Sequence, residues 1–168
     1  MTVRSIYWNR RFGMNKRDSK KRHDTKGTAP STDDAVCELV TRHLRFGWWS
    51  LLLFLTVGIL LESMHGFKVQ WYIGEQNATR RLMWTLAHAH GTLLSLIHIA
   101  YAASIYSVGR VLVFSSTQSR CLSIGTILMP IGFFAGGWST YDGDPGLGIL
   151  AVPLGAACLL YTSDAADE

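Results

Sequence analysis

Three histidines, His88, His90 and His98, interrupt the otherwise apolar stretch TLAHAHGTLLSLIHIA at residues 85–100. An ionisable side chain in such a segment is costly and points to function by default. Imidazole suits haem iron, copper and zinc, and it can equally relay a proton. Glu62 and His65 are three residues apart and share a helix face. His88 and His90 are two apart, about 200° around an ideal helix, so only one of them can join Glu62 or His65. At about 1.5 Å per residue, Glu62 lies roughly 7 Å below Phe67 and His88 roughly 9 Å below Leu82. These are similar depths on antiparallel neighbours. The metal set expected is therefore His88, His65 and Glu62, with Thr92 and Ser95 along the face of His88 to fix its tautomer. His90 is expected to pack at an interface where Gly91 admits another helix. Asp142 and Asp144 lie on the same side, although YDGDPG reads more simply as a tight turn.

A neutral histidine bonded across a helix interface accounts for the same residues without any ligand. The single E-x-x-H spacing lacks the second copy and further carboxylates of a di-iron bundle. No phosphate loop, nucleophile triad or Cys-x-x-Cys pair is present.

The elements that must position these groups are helical. Residues 1–30 are basic and poor in apolar side chains, the composition of a disordered cytoplasmic tail. Translation could start at Met1 or Met14. From Ser31 to Arg45, helix-start chemistry followed by Ala35, Val36, Leu39, Val40, His43 and Leu44 predicts a short amphipathic helix on the membrane surface. Residues 46–67 are long enough to cross a bilayer, with Trp48 and Trp49 at one interface. The long basic tail and lack of an A-x-A-like site argue against a signal peptide. Further spans are expected over 82–106 and 121–138, with Pro130 as a kink, and a fourth begins at 146–157. The expected fold is all-α: an integral membrane helical bundle over 46–157 of about four transmembrane helices, the fourth truncated.

Charge agrees with that plan. Eleven of sixteen Lys and Arg residues precede Phe46. Without interleaved aromatics or a nucleic-acid fold motif, this basic tail fits anionic lipid and no nucleic acid is expected. Basic residues flank the amino-terminal side and loop 107–120, while loop 139–145 has none, which places the amino terminus in the cytoplasm. Arg80 and Arg81 run against that rule. Cys37, Cys121 and Cys158 share no short spacing, so neither zinc nor a disulfide framework is indicated.

The last eleven residues, CLLYTSDAADE (158–168), match the translation of a transposase-based sequencing adapter residue for residue. They are expected to be read-through, with the native chain continuing past Ala157. Leu94–Ile99, LSLIHI, matches the same adapter in another frame. It continues the helix in register, however, and is read as native.

LAHAHGTLL resembles the histidine-bearing helix of small membrane proteins related to the haem–copper oxidase catalytic subunit. That resemblance covers nine residues and implies His88 and His90 as haem or metal ligands. No later span carries a histidine pair, so it does not extend to oxidase activity. LLESMHGFKVQWY followed by RRLMWTLAHAHG is also similar to an uncharacterised bacterial family of small polytopic proteins. The expectation is thus a small bacterial inner-membrane protein in the lipid bilayer, with haem or a transition metal near its outer face and other membrane subunits as partners. The alternatives are a structural or assembly protein whose histidines only bridge helices and, third, a small-solute transporter.

Overall fold

The computed structural model describes residues 32–108 and 116–164. The basic tail expected over 1–30, Arg110 and the last four residues lie outside them. Residues up to Ala35 cluster apart from Val36–Glu168. Of the former, only the first turn of a helix is described, with Asp33 and Asp34 where carboxylates favour a helix start. The regular elements are all helices: α1 (Thr32–Gly66), α2 (Gln70–Ile73), a 3-10 turn (Glu75–Asn77), α3 (Ala78–Val108), α4 (Ser116–Trp138), a second 3-10 turn (Leu147–Leu150) and α5 (Ala151–Asp164).

The interfacial helix expected over 31–45 and the span expected over 46–67 are one continuous helix of 35 residues. No proline separates them, and Gly47 lies in contact with Ile99 rather than in a turn. The helix stops where the backbone of Lys68 enters the left-handed region at φ 52. Lys68 N then donates to His65 O at 3.1 Å and Val69 N to Met64 O at 3.0 Å, satisfying carbonyls that the helix end would orphan.

Consecutive long helices run antiparallel. His88 on α3 reaches Phe54 on α1, and His98 reaches His43. Trp84 and His98 on α3 reach Phe134 and Thr126 on α4. Gly125, Gly132 and Gly155 bring α4 and α5 together. One end of the bundle is closed by Leu61, Tyr72, Met83, Trp84, Ala87 and Phe133. Beside them Arg80 lies over the Trp71 ring at 4.5 Å and donates to the carbonyls of Trp71 and Gly137. YDGDPG is a tight turn, in which Tyr141 and Asp144 exchange backbone hydrogen bonds around Asp142 (φ 54) and Gly143 (φ 90).

Two helices are long and apolar enough to cross a membrane, over Asp33–Gly66 and Thr117–Trp138, and the apolar part of the last helix, Leu147–Tyr161, is shorter. α3 has 31 residues. Its histidines hold its hydropathy down, and it is not one of the two. Leu52, Leu53, Ile59 and Leu60 on α1 are all more than half exposed. Such a surface is unfavourable in water and suits hydrocarbon.

Candidate functional site

Among the described residues, four of the five histidines fall into two groups, at different levels of the α1–α3 pair. From Phe54, His43 is eleven residues back along α1, and from His88, His98 is ten forward along α3. At about 1.5 Å per residue the two groups lie roughly 16 Å apart.

In the first group His43 and His98 are buried, their Nδ1 atoms 2.7 Å apart and their rings 25° from coplanar. His43 Nε2 lies 2.8 Å from Ser119 Oγ, and His98 Nε2 lies 3.1 Å from Thr126 Oγ1. Arg42 donates to Ser119 Oγ at 2.6 Å. Tyr101 meets the His43 ring edge-on, and Phe46 tilts against His98.

With both rings neutral, one arrangement of hydrogens satisfies every partner. Thr126 donates its hydroxyl to Leu122 O at 2.8 Å, so it accepts from His98 Nε2–H. The Nδ1 of His98 is then bare and accepts from His43 Nδ1–H. This leaves His43 Nε2 to accept from the Ser119 hydroxyl, whose oxygen accepts from Arg42. The result is a one-directional chain from Arg42 to the Leu122 carbonyl, tying α1, α3 and α4 together. All four ring nitrogens are used within it.

In the second group His88 donates Nδ1–H to Phe54 O on α1 at 2.8 Å, which leaves Nε2 as a lone-pair acceptor. The ring fits only because position 58 is glycine: a Cβ there would lie 2.5 Å from His88 Cε1. Glu62, His65, Arg81, Thr85 and His88 line one open groove between α1 and α3, of about 850 Å³. Its apolar walls include Leu55, Ile59 and Leu82.

Glu62, His65 and His88 are thus on one groove but at different levels, because His88 bonds Phe54 O, eight residues back along α1 from Glu62. Among the described residues, however, no three His, Cys, Asp or Glu side chains gather closely enough to hold a metal ion. His90 faces elsewhere, donating Nδ1–H to Leu86 O on its own helix and packing on Phe133 at 4.8 Å. Neither Thr92 nor Ser95 orients His88. Ser95 donates to Gly91 O at 2.6 Å, and the buried Thr92 hydroxyl has no partner among the described residues. Gly91 does admit a neighbour, but it is Phe54 of α1, on the face of His88 rather than that of His90.

The sequence reading missed His43, Ser119 and Thr126 altogether. His43 passed for a member of an amphipathic face, and its partners lie 55 and 76 residues away. The register that reveals the pair is the observed one: with His88 opposite Phe54, eleven residues back on α1 and ten forward on α3 reach His43 and His98, whereas pairing Glu62 with His88 would set His43 opposite Ser107. No family model, curated protein or solved structure matches the chain.

Proposed function

We propose that the chain is a small multi-pass helical bundle of the inner membrane, with its amino terminus in the cytoplasm and about four crossing helices. Its role is structural or in assembly, and its histidines act as ties between helices. The observation that carries this is the hydrogen-bond chain through His43 and His98, which joins three helices and spends every ring nitrogen of the pair on protein partners. The tie from His88 to Phe54 O serves the same purpose at another level. In hydrocarbon, where no water competes, a polar side chain is tolerated when it is paired in this way. The exposed apolar face of α1 supports the membrane setting.

Alkaline carbonate extraction and an optical spectrum of the purified full chain test the two halves of the proposal. The protein is expected to stay in the membrane pellet and to show no Soret band. Release into the carbonate supernatant overturns the membrane setting, and a Soret band lost in His88→Ala replaces the structural role with haem binding.

A further inference from the structure

We propose that the groove between α1 and α3 binds the headgroup of an ethanolamine phospholipid, an inference that rests on the membrane setting above. Three observations converge on it. First, opposite charges face each other without pairing. Glu62 on α1 is exposed and has no partner among the described residues, while Arg81 on α3 commits one N–H to Ile73 O and keeps its other donors. An ammonium on Glu62 and a phosphate on Arg81 match this polarity, and Arg is suited to phosphate oxygens. Second, the acceptors require N–H donors. The bond from His88 Nδ1 to Phe54 O leaves Nε2 as a lone pair on the groove, and the Glu62 carboxylate is acceptor-only when ionised. A primary ammonium can donate to the Glu62 carboxylate, or to His88 Nε2 further along the groove, whereas a quaternary choline has no hydrogen to give. Third, the groove also has apolar walls. Leu55, Ile59 and Leu82 line it between and beside the polar groups, as an apolar surface fit for an acyl chain. Trp71, half exposed, and Trp138, largely exposed, with Arg80 over Trp71, lie at the same end of the helices as Glu62 and Arg81, a level suited to headgroups.

The experiment is native mass spectrometry of the full chain in mild detergent, titrated separately with dioleoyl phosphatidylethanolamine, phosphatidylcholine and phosphatidylglycerol. The ethanolamine lipid is expected to be retained about fivefold over the other two, the effect of one net hydrogen bond. Glu62→Gln is expected to remove that preference, and because Glu62 bonds nothing among the described residues the variant should fold. Arg81→Gln, which removes the partner of a phosphate common to all three lipids, should lower the retention of all three and leave the preference among them. His90→Ala, which lies off the groove, should keep the preference. Equal retention of the choline lipid, preference for the glycerol lipid, or an unchanged preference in Glu62→Gln overturns the proposal. Competition by glycerophosphoethanolamine, which has the head without the tails, overturns the lipid as occupant in favour of a soluble zwitterion. A bound metal ion displaced with Glu62→Gln overturns it in favour of a metal. Failure of carbonate extraction takes down the membrane setting and this site together, whereas an integral protein with no headgroup preference takes down the site alone.

Discussion

His98 and His90 lie on the same helix and differ in what they hold. His98 is fully buried and joins His43 to Thr126, while His90 bonds a carbonyl of its own helix and rests on Phe133. Removing His98 strands the Nδ1–H of His43 and takes the donor from Thr126, and an unsatisfied buried group costs about 1–3 kcal/mol. Removing His90 strands only Nδ1's acceptor, a carbonyl already within a helix, so its loss stays near the roughly 0.6 kcal/mol typical of side-chain bonds in membranes. His98→Ala is therefore expected to lower thermal stability in detergent clearly more than His90→Ala does. Equal losses would mean that the chain from Arg42 to Leu122 does not hold the bundle.

At the scale of elements, α1 and α3 meet through glycines as much as through histidines. Gly58 seats the His88 ring and Gly91 seats Phe54, so each helix offers a gap to a large group of the other. Gly58→Val should push the ring off Phe54 O and overfill the contact, a loss of about 1–3 kcal/mol by denaturant titration. Gly66→Ala is the control, because a Cβ there meets nothing within 4 Å. A Gly58→Val variant as stable as Gly66→Ala would mean that His88 is not seated there. The helices themselves were legible in the sequence, because apolar runs of this length have few other solutions. Their joints were less so. α3 starts at Ala78 rather than near Leu82, since Arg80 and Arg81 read as loop residues. Their guanidinium groups in fact donate to carbonyls of Trp71, Gly137 and Ile73. Gly91 was recognisable as a place of close approach, but which helix approaches depends on Phe54, 37 residues back in the chain. Local spacing carries no trace of that.

For the whole molecule, the arginine contacts also bear on orientation. Arg80 and Arg81, which run against the charge rule, are tied to carbonyls, whereas Arg42 and Arg45 on α1 and Arg120 on α4 belong to the other end of the bundle. The weight of basic charge thus stays with the amino-terminal side, which the rule assigns to the cytoplasm. The loops at 66–81 and 139–145 cannot be assigned separately. Thr79 donates to Gly143 O, Arg80 donates to Gly137 O, and the Trp71 and Trp138 rings are 6.2 Å apart, so both loops occupy one end. Phe67 and Tyr141 are the reporters to use, being 85% and 84% exposed. In a background with Cys37, Cys121 and Cys158 replaced by serine, Phe67→Cys and Tyr141→Cys should both react with an impermeant thiol reagent on intact cells. Labelling of both only after lysis would invert the orientation and carry the Glu62–Arg81 groove to the cytoplasmic leaflet with its chemistry unchanged. Labelling of one alone on intact cells would be the more damaging result. It would separate two loops that the Trp71–Trp138 contact holds together, and with them the pairing of α3 with α4 on which the chain through His43 and His98 depends.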